Sequence, residues 1–409
     1  MTEWTITRLG AQGDGIADGP VFAPRTLPGE IVSGALSDGV LTDVKIVSSS
    51  DNRVAPPCRH FKSCGGCVLQ HGSDDFVANW KTERVQTALA AQGLETVFRP
   101  IVTSPPATRR RASFAARRTK TGALVGFHGR KSDTIIAVPD CTLLDPKLSA
   151  TMGLIEDIAT TGTSRKAVLS VLVTVCDNGL DFAVSGGKPL DRRLRQHLAV
   201  LCQKHGILRL TWDGEVVAME SKPQVSFGDI KVSPPPSAFL QATRHGETQL
   251  VQTVQEIATG AGRIVDLFAG CGTFSLPLAR TASVHAVEGE KEMLSALDEG
   301  WRHARSLKTV TTEARDLFRR PLMADEFRHV DLVVIDPPRA GAVAQIAELA
   351  TCGVPRIAHV SCNPVTFARD AACLVQTGYH LDWVQVVDQF RWSAHVELVG
   401  CFSLPHIRR

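Results

Sequence analysis

The chain has 409 residues, enough for two or three domains with a sizeable core. Apolar residues make up 44% and charged residues 21%, a globular balance, and no apolar run nears the roughly 20 residues that span a bilayer, so no membrane partner is expected. The net charge of +3 is too small to name a partner, so the distribution of charge matters more than its sum.

The first 50 or so residues predict short strands with tight turns, in segments such as Val21-Phe-Ala and Glu30-Ile-Val-Ser-Gly-Ala-Leu, joined by Leu27-Pro-Gly29. Small barrels of this kind often bind oligonucleotides, although a plain barrel without a ligand has the same signature. Residues 51 to 70 are rich in cysteine, and an apolar stripe of Trp80, Val85 and Leu89 predicts a helix near Phe76 to Ala91. A basic span follows, with Arg109, Arg110, Arg111, Arg117, Arg118 and Arg130 on predicted strands and Phe114 among them. Such a patch favours a phosphate backbone through counterion release, which points to RNA or DNA. Further strands, including Ala167 to Val175, lead to Ser233-Pro-Pro-Pro236, a stiff linker. The expected division is therefore a barrel over 1–50, a central mixed domain over 51–235 and a third domain over 236–409.

After the proline run the pattern alternates between helix and strand. A helix is expected from about Ala242 to Thr259, with apolar strands at Arg263 to Phe268, Ser283 to Glu288, Val330 to Asp336 and Arg356 to Ser361. Runs of that kind form parallel sheets covered on both faces. The last two strands, near Tyr379 to Val387 and His395 to Phe402, have no helix between them and are expected as an antiparallel pair at the sheet edge. The fold class is thus α/β, with a Rossmann-like third domain.

Three constellations in that domain carry chemistry. Asp266-Leu-Phe-Ala-Gly270-Cys-Gly272-Thr273 lets backbone approach a ligand, because glycine has no side chain. The third glycine of a dinucleotide fingerprint is replaced by Ser275, while Glu288 ends the next strand, where an acid can hold a ribose diol. The combination fits S-adenosylmethionine better than NAD. Cys362, in Val360-Ser-Cys-Asn-Pro364, ends a later strand and opens a helix, a setting that lowers a thiol pKa and suits a nucleophile. Thiolate addition to carbon 6 of a pyrimidine makes carbon 5 nucleophilic, and a base must then remove the carbon-5 proton. Glu397, in His395-Val-Glu397-Leu, is the candidate base, against the plainer reading of a surface carboxylate. Asp336-Pro-Pro-Arg339 lacks the aromatic residue of amino-directed methyltransferases, which disfavours amino methylation.

Eleven cysteines without a basic-then-apolar leader are read as belonging to a reducing, cytoplasmic setting rather than to a disulfide framework. Cys58, Cys64 and Cys67 lie close together, and Cys141 could be a fourth ligand. Four thiolates suit zinc or an iron–sulfur cluster, and spacing alone does not choose between them.

Taken together, these motifs resemble the RumA/RlmD/TrmA family of RNA uridine-5 methyltransferases over nearly the whole chain. The resemblance implies a TRAM-type barrel, with the Leu27-Pro-Gly-Glu30 turn, ahead of a class I methyltransferase domain. It implies that Cys58, Cys64, Cys67 and Cys141 hold a 4Fe–4S cluster, as in the branch that acts on ribosomal RNA. It implies cofactor contacts from Gln241 in Phe239-Leu-Gln241-Ala, and from Phe268, Thr273, Glu288, Asp316 and Asp336. Cys362 and Glu397 fall at the positions of nucleophile and base. Thr243 and Thr273 stand where Asn is frequent, and Gln389-Phe-Arg-Trp-Ser-Ala-His395 departs from the usual Phe-Pro-His-Thr form. The expected activity is transfer of a methyl group from S-adenosylmethionine to carbon 5 of a uridine in 23S rRNA. The alternatives are a tRNA uridine, a cytosine, or a non-catalytic RNA-binding assembly factor. No obligate protein partner is indicated.

Overall fold

The computed structural model describes residues 2–405. The strands Glu3–Leu9, Gly15–Ala17, Val21–Ala23, Ile31–Ser37 and Val40–Ser48 close into a barrel around Ile6, Ala23, Val32 and Leu41. The Leu27-Pro-Gly-Glu turn has a local cause. Gly29 takes φ +85°, and the buried Glu30 carboxylate accepts the Leu27 amide at 2.8 Å and pairs with Arg53. One acid thereby ties the barrel to the cysteine-rich segment.

That segment forms turns and isolated bridges, including Cys64 with Gly129, and runs into a helix, Asp74–Ala90, capped by the Ser73 side chain. A seven-stranded sheet follows, in the order 135–136, 123–128, 111–118, 169–175, 180–185, 209–212, 215–219. The helices Met152–Gly162 and Arg192–His205 share a core with it that contains Phe114, Ile158, Phe182 and Trp212.

The third sheet has nine strands, in the order 310–314, 283–288, 263–267, 332–335, 356–361, 397–403, 380–388, 97–98, with 102–103 also pairing to 380–388. The first five are parallel, and their apolar runs are buried. The expected antiparallel pair is present, but it is not the edge. Glu397–Ser403 sits between Arg356–Ser361 and His380–Asp388, and the latter is covered in turn by parallel pairing with Val97–Phe98 and Val102–Thr103. A distant segment thus supplies the edge cover that a long strand needs. The hairpin Val225–Phe227/Ile230–Val232, before the proline run, also packs into the core of this sheet. The helix Asp74–Ala90 lies against both the helix Pro364–Gln376 and the strand His380–Asp388. Material before residue 236 therefore contributes to the third core at several points.

One core residue opposes the rest. His359 is fully buried among Phe367 and Phe402, and among the described residues neither ring nitrogen has a hydrogen-bond partner. Burial lowers its pKa from 6.5 to about 3. The unfolded chain therefore takes up this proton first. Stability linked to His359 is intact above about pH 6.5 and is lost as pH falls from there toward 3. Replacing His359 with Leu removes an unsatisfied donor and is expected to raise stability at neutral pH by about 1–3 kcal/mol. It should also flatten the acid loss. Urea unfolding of both proteins at pH 7.5 and 5 measures both effects, and an unchanged midpoint at each pH would refute the account.

Candidate active site

The strand Arg263–Leu267 delivers its C-terminal end into a loop with three positive-φ backbone positions. Phe268 sits at φ +62°, and Gly270 and Gly272 follow at +56° and +95°. A Cβ on Gly272 would come within 2.9 Å of Leu276 and Leu297, so the turn requires glycine there. Glu288, at the end of the next strand, braces the loop. One carboxylate oxygen accepts the Gly270 amide at 3.0 Å, and the other accepts Gly289 and Glu290 at 2.7 and 3.1 Å. Asp316 accepts the Phe318 amide at 3.0 Å, which brings the Phe318 ring 5.5 Å from Phe268. Beneath the loop, Asp266 is fully buried and bonded to the Ser275 hydroxyl, and burial lifts its pKa to about 7.

These groups line one end of a cavity of about 730 Å³, with Thr273 among them. The other end is lined by Asp336, Arg339, Cys362, Phe390, His395 and Glu397, with Arg109 and Gln241 on the wall. A ligand of nucleoside size fits such a volume. The loops after the strands Leu332–Ile335 and Arg356–Ser361 are tied together, because Asn363 Nδ2 donates to the Arg339 carbonyl at 2.9 Å. Asn363 also caps the helix Pro364–Gln376 by accepting the Val365 amide at 3.1 Å. Cys362 is thereby fixed at the strand-to-helix turn and half-buried.

Electrostatically, the thiol departs from expectation. A helix N-terminus should lower its pKa, yet burial and then the neighbouring Glu397 and Asp336 push it up to about 12. Arg339 acts in the opposite sense but does not prevail. The carboxyls are shifted as well. Burial lifts Asp336 to about 7 and holds Glu397 well above the carboxylate range, with Asp336 adding to the effect and a Gln389 hydrogen bond opposing it. Glu397 is 3% exposed, which removes the reading of a surface carboxylate. Before substrate arrives, this end of the cavity is proton-rich, with a neutral thiol.

Gln241 and Gln389 are both buried and bonded to each other, and Gln389 also accepts the Ala242 amide at 2.7 Å. The sequence marks Gln389 only as part of a divergent segment, and the signal of its role is that it precedes the base by a hairpin turn. Thr243, where Asn is frequent, caps the helix Arg244–Ile257 by accepting the Gly246 amide at 2.9 Å, a role open to either residue.

The basic span divides into two groups. Arg110 is 2% exposed and pairs with buried Glu247, and Phe114 is 0% exposed in the central core, so neither is available to a polynucleotide. Their strand alternates, and every second side chain points inward. Arg130 pairs with Asp14 of the barrel, and Arg111 donates to the Ser237 carbonyl at 3.0 Å. Arg117 reaches only the Asp133 carbonyl, at 3.4 Å, and Arg118 is half-buried beside it. Arg109 lies 5.9 Å from the Phe390 ring at the cavity wall. Substituting Arg117 and Arg118 with Ala is expected to lower the salt slope of RNA binding by about one unit for each phosphate that is no longer neutralised. Arg110→Ala should instead cost about 3–5 kcal/mol of stability, because it strands Glu247, and should leave the slope intact. Filter binding across a salt series with parallel unfolding separates the two; the same slope change in both variants would contradict this division.

Cys58, Cys64, Cys67 and Cys141 converge from two segments. Each of Cys64, Cys67 and Cys141 has its thiol pKa raised first by burial and then by others of the four, Cys67 to about 12. Among the described residues, no group of three or more His, Cys, Asp or Glu side chains is placed to hold a metal ion.

A glycine cradle at a strand end, an acid on the next strand and a nucleoside-sized cavity at the carboxyl edge of a parallel sheet define a class I S-adenosylmethionine-dependent methyltransferase. The family model described as tRNA (Uracil-5-)-methyltransferase matches residues 220–403. An RNA methyltransferase of Rhizobium meliloti is 46% identical over 97% of this chain and 98% of its own length. The 23S rRNA (uracil(1939)-C(5))-methyltransferase RlmD of Halomonas elongata is 32% identical over 100% of this chain and 90% of its own length. The chain belongs to the family of S-adenosylmethionine-dependent RNA uracil-C5 methyltransferases. Its fold matches the crystal structure of the Pyrococcus abyssi tRNA (uracil-54, C5)-methyltransferase in complex with S-adenosyl-L-homocysteine, with a TM-score of 0.76, 22% identity, and coverage of 98% of this chain and 99% of that one. No helix among the described residues is long and apolar enough to cross a membrane.

Proposed function

We propose that this protein methylates carbon 5 of a uridine in 23S rRNA through a covalent bond between Cys362 and the base. The observation that carries the reading is the shared cavity, with the cradle of Phe268, Gly270, Thr273, Glu288 and Asp316 at one end and Cys362 with Glu397 at the other. The cofactor held by the cradle supplies an electrophilic methyl group. Cys362 releases its thiol proton to water as the substrate binds, and the thiolate Sγ then adds to carbon 6, which makes carbon 5 nucleophilic. The thiol is neutral at rest, so deprotonation belongs to the substrate-bound state, with Arg339 the cation beside it that favours the thiolate. Burial favours the neutral form of Glu397 at rest, so Glu397 too must release its proton to water in the substrate-bound state. After methyl transfer its carboxylate takes the carbon-5 proton, the electron pair forms the carbon 5–carbon 6 double bond, and the carbon–sulfur bond breaks. Gln241 and Asp336 line the same space and are proposed to contact cofactor and base. The target base must leave its stack to enter.

Ribosomal RNA is favoured by the relative at 32% identity whose alignment spans this whole chain. The tRNA reading rests on the description of the family model over residues 220–403 and on a solved structure at 22% identity, a likeness of fold. Mapping 5-methyluridine in total RNA from cells with and without the protein tests the choice. Loss from 23S rRNA is expected; loss from tRNA alone would overturn it.

We further propose that Cys58, Cys64, Cys67 and Cys141 hold a 4Fe–4S cluster, supported by four thiols within mutual electrostatic reach. Such a cluster would tie residues 58–67 to Cys141 of the central domain. Anaerobically prepared protein is expected to contain about four irons per chain. Stoichiometric zinc without iron would contradict the assignment.

A further inference from the structure

Glu397 begins the second strand of a hairpin, and its register partner on the first strand is Val387. The turn between them, residues 389–395, carries Gln389, which bonds Gln241, together with Phe390 and His395 of the cavity wall. This turn does not hold itself. Trp392 sits at φ +59°, a left-handed conformation that a large side chain adopts only under constraint.

The constraint comes from a segment far earlier in the chain. Lys81, on the helix Asp74–Ala90, is 0% exposed. Its ammonium donates to Asp388 Oδ1 at 2.6 Å and to the Phe390 carbonyl at 3.0 Å. Asp388 Oδ1 also accepts the Phe390 amide at 3.0 Å. One helical turn on, Arg84 donates to the Ala394 carbonyl. The amides of Val68 and Leu69, directly after Cys67, both donate to the Trp392 carbonyl, at 2.8 and 3.0 Å. Arg391 pairs with Asp74 at the start of the same helix. The turn that leads into Glu397 is therefore gripped at residues 388, 390, 391, 392 and 394 by groups between 68 and 84.

A buried ammonium–carboxylate pair is not needed for compactness, since apolar residues of similar volume do as well or better. What it offers is one defined geometry. Resting on the assignment of Glu397 as the base, we propose that Lys81, through Asp388 and the Phe390 carbonyl, is a positioning residue that fixes the 389–395 turn and so sets the Glu397 carboxyl against carbon 5 of the methylated adduct. The helix that carries Lys81 also packs on the helix following Cys362, so one element braces both sides of the reaction.

The test uses full-length protein with both charges removed together, Lys81→Met with Asp388→Leu, so that no lone buried charge remains. Lys81→Gln with Asp388→Asn, which keeps polar partners and leaves no charge, is the milder variant and decides if the first does not fold. Loss of positioning impairs elimination specifically. In both variants, kcat should fall, by about tenfold in the apolar pair, and KM for RNA should fall in parallel, because the slowed step follows methyl transfer. Cofactor affinity should stay at the wild-type value, and a methylated protein–RNA covalent complex should accumulate on denaturing gels. A lowered melting temperature with wild-type kcat per folded enzyme and no trapped complex would overturn the proposal and leave Lys81 merely structural. Glu397→Gln run in parallel keeps the two readings apart. If it traps the complex while the Lys81 and Asp388 variants turn over normally, positioning alone falls. If it traps nothing, the base assignment falls and the positioning role with it.

Discussion

Cys362→Ala is expected to bind S-adenosylmethionine as the wild type does and to transfer no measurable methyl group. The cofactor end of the cavity is built from residues 268–316, and its braces, such as Glu288 to Gly270, do not pass through Cys362. Removing the sulfur also leaves the Asn363 cap and its bond to the Arg339 carbonyl in place, so the fold has no reason to fail. What disappears is the only step that makes carbon 5 nucleophilic. The rate should therefore fall by on the order of a thousandfold or more, as for other essential nucleophiles. Isothermal titration with the cofactor and radiolabel transfer into unmodified rRNA check the two halves. Turnover close to wild type would remove Cys362 from the mechanism.

Glu397→Gln should fail differently. The nucleophile is intact and the amide is nearly the same size, so addition and methyl transfer can proceed. Elimination cannot, because an amide does not take the carbon-5 proton. Protein and RNA are expected to accumulate as one covalent, methylated species, while steady-state turnover falls by about 10² or more. The buried position makes this loss hard to bypass. Glu397 is 3% exposed, and water has poor access to replace it. The species should vanish when Cys362→Ala is added. A variant with full turnover and no trapped species would place the base on another group.

The cradle was legible in the sequence because its signal is local. Asp266 to Thr273 forms a loop whose glycines answer to positive φ, and Glu288 follows at the end of the next apolar strand. Four of the five parallel strands were legible because each is a short, largely buried apolar run, whereas Val310–Ala314 is mostly polar and exposed and gave no such signal. Chemistry singled out Cys362 and Glu397 as candidates and the fold brings both to one cavity, yet their environment was not legible. A helix start suggests a lowered thiol pKa, but burial, joined by two carboxyls brought in by other strands, reverses the sign. The hairpin was read as an edge because nothing near residues 379–403 shows that 97–103 will cover it. The basic span misled at Arg110 and Phe114 because net positive charge does not show which alternate side chains face inward, where Glu247 waits 137 residues away. Lys81 was invisible for a similar reason, because its partner Asp388 is 307 residues distant.

The central claim is a bond between Cys362 Sγ and carbon 6 of a uridine during methyl transfer. It is tested most directly by giving the wild-type enzyme rRNA in which uridine is replaced by 5-fluorouridine, together with S-adenosylmethionine. Fluorine at carbon 5 cannot leave as a proton, so the base has nothing to remove and the adduct cannot resolve. The account predicts a stable protein–RNA species whose digested peptide carries a methylated fluorouridine nucleotide on Cys362. A modified peptide without Cys362, or methylation of the natural RNA with no covalent species from the fluorinated one, would contradict it.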